Sequence, residues 1–432
     1  MMDDHLRSFI TGLFRTAVEV AHPAACLPPL LPPAPEHGRV IILAAGKAAG
    51  SMAVTAEDFY LDRLKLPAER LTGVAVARHG YGRPTRTVRM IEAGHPVPDA
   101  AGLEAAQAAL DFADGAGRGD LVLVLMSGGA SANWIAPADG ISFSDKQAVT
   151  RALLRSGAHI GEINTLRKHL SRIKGGRLAR RAYPARVATI AISDVPGDDP
   201  SAIGSGPTVA DPTTLAEARA IVAKFRLELP ESVTRALDNS DNESPKAGDA
   251  AFAGTTFALA ARPRDSLQAA EKAVRDAGFE CISLGPDVEG EAREVALAHA
   301  AMARDLRAQG KRAVIISGGE LTVTIRGRGR GGPNQEYALA LVEALAGMQA
   351  VAAVAADTDG TDGGAGSATD PAGAFVDGGS AARAKAIGLD PAAFLTDNDS
   401  TGFFAKLGDL LEPGPTYTNV NDFRAIVVDA CP

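Results

Sequence analysis

Five apolar runs in this chain each stop abruptly at a cluster of Gly, Ser, Asp or Lys, and that pattern restricts the fold more than any other feature. Val40–Ala45 runs into Gly46-Lys47, Leu121–Met126 into Ser127-Gly128-Gly129, and 187–192 into Ser193-Asp194 and the turn Pro196-Gly197-Asp198-Asp199. The other two, 314–316 and 351–356, run into Ser317-Gly318-Gly319-Glu320 and Asp357-Thr358-Asp359-Gly360. Short, near-continuous apolar runs suit strands buried on both faces of a parallel sheet. In open α/β sheets, ligands bind beyond the carboxyl ends of such strands. The pattern therefore predicts a parallel sheet with Lys, Asp and Gly-rich turns along one rim, the composition of a site for phosphate and a metal ion.

A chain of 432 residues exceeds one ordinary core, so about two or three domains are expected. A net charge of −8 leaves no electrostatic footprint for nucleic acid. Three cysteines, Cys26, Cys281 and Cys431, are too few and too far apart for a zinc site or a disulfide framework, and Cys431 is expected to be exposed. The first residues read as an amphipathic helix over 4–21, interrupted by Arg7, Arg15 and Glu19, and not as a signal peptide. No stretch is long and apolar enough to span a bilayer, so a cytoplasmic location without membrane partners is expected.

A proline-rich connector follows at 28–35, and then strand and helix patterns alternate. The spacing predicts helix 48–60, strand 73–77, Asp145 capping a helix over 146–156, and helices at 162–169 and 175–181. The polar, turn-rich segment 239–249 is the expected linker. Beyond it, strands at 255–259, 313–317, 321–326, 351–356 and 425–428 alternate with helices at 265–277, 290–308, 334–346 and 379–387. The expected architecture is two α/β domains: a doubly wound, Rossmann-like, mainly parallel domain over 1–240 and a smaller α/β domain over 241–432.

Gly46-Lys47-Ala48-Ala49-Gly50 follows a strand and opens a helix, so small residues let an anion approach free N–H groups while Lys47 adds a charge. It is neither a Walker A motif nor a dinucleotide fingerprint. Ser127-Gly128-Gly129-Ala130-Ser131 reads as a backbone nest, and no Gly-x-Ser-x-Gly elbow marks a nucleophile. Asp194, Asp198 and Asp199, with Ser205-Gly206-Pro207-Thr208 close behind, suit magnesium held between protein and phosphates. The basic, glycine-rich loop from Arg326 through Arg328 and Arg330 to Pro333-Asn334 feeds a helix N-terminus and reads as a flexible cover for polyphosphate. Asp357 and Asp359 repeat the carboxylate-rich turn after a strand. His95 and His169 could reach a substrate, with structural or surface roles the favoured reading, and the run Arg167, Lys168, Arg172, Lys174, Arg177 reads as a solvated face that could also draw in an acidic substrate.

With these motifs in place, the chain resembles the class II glycerate kinases, the glycerate 2-kinase family with a C-terminal MOFRL domain. The segments that carry the resemblance include Ala45-Gly-Lys-Ala48, Gly94-His-Pro-Val-Pro-Asp99, Met126-Ser-Gly-Gly-Ala-Ser131 and Asn164-Thr-Leu-Arg-Lys-His169. They continue through Ile192-Ser-Asp-Val-Pro-Gly-Asp-Asp199, Ser205-Gly-Pro-Thr208, Asn334-Gln-Glu336, Asp357-Thr-Asp-Gly360 and Thr418-Asn-Val-Asn-Asp422. The resemblance implies transfer of the γ-phosphoryl of ATP to the 2-hydroxyl of D-glycerate, with Mg2+, in a cleft between two domains that closes on binding. The MOFRL region then covers about 312–426. It further implies Lys47 and Asp194 as catalytic residues, and Ser127, Gly128, Gly129, Ser131, Ser205, Gly206, Thr208, Glu320, Arg330 and Asn334 as substrate or phosphate contacts. Asp198, Asp199, Asp357 and Asp359 are the implied metal ligands, and a homodimer is an open assembly state.

One departure stands out: many members carry Arg where this chain has Pro333, so Arg330 or Arg328 supplies that charge or the transferred phosphoryl is stabilised differently. Relatives are often labelled hydroxypyruvate reductases, which makes NAD(P)H-dependent reduction the alternative reading; the missing nucleotide fingerprint weighs against it.

Overall fold

The computed structural model describes residues 4–364 and 366–429. Cys431 lies outside them. The chain divides into two compact units, Leu27–Ala260 and a second made of the first 26 residues with Ala261 onward.

The Leu27–Ala260 unit is built on six strands: β1 (Val40–Ala45), β2 (Leu71–Arg78), β3 (Val88–Ala93), β4 (Leu121–Met126), β5 (Arg186–Ile192) and β6 (Thr255–Ala261), in the order β3-β2-β1-β4-β5-β6. The four pairings from β3 across to β5 are parallel, with Val40 level with both Leu71 and Leu121. Every residue of β1 and β4 is buried. Ile41, Leu43, Val122 and Val124 face a core shared with helices Ala100–Asp114 and Arg177–Ala182. Helix Ala49–Glu57 packs against β1, β2 and β4. The continuous apolar runs are thus explained by double-sided burial.

The second unit holds β7 (Glu280–Ser283), β8 (Glu289–Glu291), β9 (Arg312–Ser317), β10 (Glu320–Thr322), β11 (Val351–Asp357), β12 (Gly373–Asp377), β13 (Leu410–Leu411) and β14 (Asp422–Asp429). Its six-stranded sheet runs β13-β12-β11-β14-β9-β7, and β8 pairs with β10 in a separate parallel ribbon. Here the parallel expectation is corrected. The pairings β13/β12, β12/β11, β11/β14 and β14/β9 are antiparallel, and only β9/β7 is parallel. Because β14 lies antiparallel between β9 and β11, those two strands still point the same way, and their Gly- and Asp-rich ends share one edge of the sheet. Helices cover both faces of this sheet too, which is why its strands read like parallel ones. Ala352 and Val354 face one core, and Ala353 and Ala355 the other.

The units do not follow the expected division at 240. Helix Asp4–Ala21 turns Leu6, Ile10, Leu13, Phe14 and Ala17 onto Leu267, Val314, Val354 and Phe423, so the first helix completes the second unit's core. Burying each large side chain of this kind contributes about 1.5–3 kcal/mol, enough to override sequence proximity. Nor is 239–249 a loose linker. Glu243 accepts from His169 Nε2 at 3.0 Å and from the Leu215 N–H at 2.9 Å, and Asn242 accepts from Arg177, which straps the segment to the Leu27–Ala260 unit. Although burial opposes it, hydrogen bonds from Lys246, Leu215 and His169 hold the Glu243 carboxyl down to about 2. No described helix is long and apolar enough to cross a membrane.

Candidate active site

At the carboxyl end of β1 the chain turns through Gly46 at φ 117°, a left-handed conformation open to glycine. A Cβ there would stand 2.4 Å from the Ser127 carbonyl oxygen, so the turn and the end of β4 touch backbone to backbone. The Lys47 N–H donates to the Gly128 carbonyl at 2.8 Å, and the Ala48 N–H to Ser127 Oγ at 2.9 Å. Ser127 is buried and its hydroxyl oxygen accepts this bond. It fixes the Lys47 turn from the neighbouring strand, leaving half-buried Lys47 at the strand's end.

Gly129, at φ 88°, lies under the His95 ring, which a Cβ would meet at 2.9 Å. Ser131 Oγ is 2.9 Å from Ser205 Oγ, and Lys174 Nζ donates to Ser131 Oγ at 3.0 Å and to its carbonyl at 2.8 Å. Gly204, Ser205 and Gly206 are successively left-handed, with φ 57°, 62° and 59°. For Ser205 that conformation costs about 1–2 kcal/mol, and its glycine neighbours make the tight loop feasible. Thr208 is fully buried and shares a 2.7 Å hydroxyl–hydroxyl hydrogen bond with Thr189 on β5, so it anchors this loop.

Around Ser131 and Gly129 lies a cavity of about 230 Å³ whose other walls include His95, Lys146, Arg167 and Lys174. The sequence pattern marks Arg167 and Lys174 as basic residues that could draw in an acidic substrate, but not Lys146. The run 167–177 is not a solvated face: Lys168 and Lys174 are buried, and Lys168 pairs with buried Asp211 at 3.0 Å. Lys146 and Lys174 are 4% and 3% exposed. Lys146 donates to the Leu170 carbonyl at 3.1 Å, but among the described residues neither lysine meets a carboxylate. Burial, with repulsion from Arg167, pulls Lys146 down to about 7. Burial, then repulsion from Lys146 and Arg167, takes Lys174 well below the ordinary lysine range. A signal was present in the sequence: Lys146 shares a helical stripe with Val149 and Leu153. The helix itself, Phe143–Arg155, is capped by Ser142, which accepts from Asp145, and not by Asp145 as expected.

Asp194 sits half-buried just past β5. Both Asp199 oxygens are used by Ser201, which donates its N–H at 2.8 Å and its hydroxyl at 2.9 Å, whereas Asp198 keeps one buried oxygen with no hydrogen-bond partner.

The remaining expected residues belong to the second unit. Glu320 and Arg330 are exposed, and Asp359 and Asn334 are buried. The basic loop is pinned: the N–H groups of Arg326 and Gly327 donate to Asn398, that of Arg328 to Asp397 and that of Arg330 to Asp399. Helix Pro333–Ala344 does not offer its N-terminus to phosphate, because Asp362 already accepts from the N–H groups of Asn334 at 3.1 Å and Gln335 at 2.8 Å. Asn334 Nδ2 bridges to Asp422 at 2.6 Å, and Arg424 donates to the other Asp422 oxygen at 2.8 Å. Burial and the charge of Asp422 raise Asp362 to about 7, against the hydrogen bonds that favour its anion. Asp357 accepts from the Asp359 N–H at 2.8 Å, and Asp359 from the Thr361 N–H at 2.7 Å, so both shape their own turn. Among the described residues no group of three or more His, Cys, Asp or Glu side chains is placed to hold a metal ion. His169 is structural as expected, bonded to Thr165 and Glu243, and burial pushes the Cys26 thiol up to about 12.

The comparisons with known proteins bear on the whole of this arrangement. Residues 9–238 match a family described as a domain of unknown function, DUF4147, and residues 313–422 match the MOFRL family. A D-glycerate 2-kinase from Thermotoga maritima is 37% identical over 424 residues, covering 97% of each chain. The chain belongs to the glycerate 2-kinase family. A crystal structure of glycerate kinase from Thermotoga maritima superposes with a TM-score of 0.85 at 36% identity, covering 99% of this chain and all of that one. A protein from Agrobacterium vitis with a provisional hydroxypyruvate reductase name is 45% identical over 432 residues, covering 99% of this chain and 95% of its own. Family membership and the fold agree with the sequence reading; the two family matches leave 239–312 between them.

Proposed function

We propose that the protein is a glycerate 2-kinase that transfers the γ-phosphoryl of ATP to the 2-hydroxyl of D-glycerate. The observation that carries this reading is the Lys47 turn, locked at the carboxyl ends of β1 and β4 by Ser127 and Gly128, in a chain of this family. Phosphoryl transfer asks a protein for positioning and charge neutralisation more than for covalent chemistry. A lysine on a fixed turn supplies a preorganised positive charge for the moving phosphoryl, without reorganisation at the moment of reaction. Asp194, at the end of the neighbouring β5, orients the 2-hydroxyl and accepts its proton. Mg2+ bound through ATP needs only one or two protein carboxylates. Asp198, with its unpartnered buried oxygen, fits that part better than Asp199, whose oxygens serve Ser201. When bound, the ion would neutralise charge on the phosphates.

Reduction of hydroxypyruvate is not favoured, since the strand-to-helix turn at Gly46 lacks the dinucleotide fingerprint and glycerate 2-kinases align over nearly the full length. A paired assay tests the reading. D-glycerate with Mg-ATP should give a 2-phosphoglycerate resonance by phosphorus NMR, while hydroxypyruvate should leave NADH and NADPH unoxidised. Cofactor oxidation without phosphoryl transfer would overturn it.

A further inference from the structure

Buried cations in a folded protein are normally paired with carboxylates, because taking an ammonium or guanidinium from water without compensation is costly. The Leu27–Ala260 unit obeys that rule at Lys168, which meets Asp211. It breaks the rule at Lys146 and Lys174. Lys146, Arg167 and Lys174 come from three successive segments, line the same cavity of about 230 Å³, and have no carboxylate among them. Arg167 is half-buried, and its guanidinium makes no hydrogen bond or ion pair with the described residues. Lys146 and Lys174 spend hydrogen bonds on carbonyls and on Ser131, which fixes their direction and sets no carboxylate of the described residues against them.

Burial and mutual repulsion disfavour the ammonium forms of Lys146 and Lys174, and an anion joining the cavity would favour them again. The cavity is smaller than the ~300–1,000 Å³ typical of drug-sized ligands, so it suits a small acid and not a nucleotide. It is also joined to the Lys47 turn. Gly129 lines it, Gly128 holds the Lys47 N–H, and Ser131, which receives Lys174, touches Ser205. Pro96, Pro98, Ala132 and Ile135 in its walls are apolar and would lower the local dielectric and strengthen attraction for an anion, beside the polar His95 and Thr150.

We propose that the Lys146–Arg167–Lys174 cavity binds the carboxylate of the phosphoryl acceptor and so restricts the enzyme to small 2-hydroxy acids; this rests on the kinase reading above. Arg167 supplies the unspent donors, in the fork geometry that suits a carboxylate. Lys174 couples that contact to Ser131 and Ser205. Lys146 adds charge from behind while capping the carbonyl end of helix Ile160–His169.

Arg167→Gln is the informative variant, because the side chain has no protein partner to lose. With the full-length protein and no nucleotide, calorimetry would follow D-glycerate, the uncharged amide glyceramide, and inorganic phosphate. The wild type should bind D-glycerate and not glyceramide. The variant should melt at or above the wild-type temperature, raise KM for D-glycerate about tenfold or more, and leave KM for ATP unchanged. Arg167→Lys should recover part of the affinity, and Arg180→Gln, whose arginine is paired with Asp249, should bind like the wild type. Loss of phosphate or ATP binding with D-glycerate unaffected would overturn the proposal and make the cavity a phosphate site. Equal binding of D-glycerate and glyceramide would overturn it as well. Arg167-dependent binding of D-glycerate in a protein that phosphorylates nothing would sustain this proposal while removing the kinase reading.

Discussion

The Leu27–Ala260 unit buries Lys146 and Lys174 beside Arg167 with no carboxylate among them, whereas the second unit buries Asp362 and Asp422 around Asn334 and closes the cluster with Arg424. Both are dense groups of polar side chains, mostly buried, and both shift the groups they contain. They differ in their balance. In the acidic cluster, backbone N–H groups of Asn334, Gln335 and Leu321 and the Arg424 guanidinium answer the carboxylates from within the fold. In the basic cavity the charges face a void and one another. A buried charge answered by the chain itself is architecture; one left for a ligand to answer marks a site.

The largest effect that would sharpen this contrast is at Asp422. Asp422→Ala strands Arg424, which otherwise bonds to Ser317 and the Gly318 carbonyl, as a buried unpaired charge. Denaturant unfolding should show a loss of about 3–5 kcal/mol. A loss well under that would mean the neutral oxygens around Arg424 suffice. Lys47→Ala should act on turnover instead, lowering kcat about 10²–10³-fold, as expected for a charge aimed at the moving phosphoryl. Wild-type turnover in that variant would remove Lys47 from the mechanism.

The two clusters should also respond to pH with opposite sign. Asp362 is raised to about 7 by burial and Asp422, so between about pH 4 and 7 the folded state holds a proton that the unfolded state has released. Stability from this group therefore falls as pH rises through that window. Lys146 is lowered to about 7 by burial and Arg167, with Lys174 and His95 also facing the cavity, so from about pH 7 to 10 the unfolded state binds the extra proton. Stability from this group rises with pH there. Melting curves of Asp362→Asn and Lys146→Met against the wild type across pH 4 to 10 should flatten one window each; parallel curves would contradict the assignment. The smallest expected effect is at Thr208→Val, about 1 kcal/mol from the lost hydroxyl pair with Thr189, with kcat and KM little changed. A large rise in KM would return Thr208 to the ligand.

Much of this was legible in the sequence because the signals were local. The abrupt ends of β1, β4 and β5 marked the rim that carries Lys47, Ser127 and Asp194. Antiparallel pairing of β11 and β14 was not legible, since double-sided burial erases the alternation that distinguishes the two sheet types. Helix Asp4–Ala21 was recognisable as amphipathic, but nothing in its stripe names the sheet it covers. The basic cavity escaped for the same reason. Lys146 and Arg167 stand on different helices, Lys174 on the turn before Gly175 and Gly176, and only the fold brings them together.

A crystal structure of the protein grown with D-glycerate would test the central claim most directly. Density is expected for a three-carbon acid with its carboxylate against Arg167 and Lys174 and its 2-hydroxyl turned toward the Lys47 turn. Clear density for D-glycerate elsewhere, with the three cations still facing an empty cavity, would contradict it.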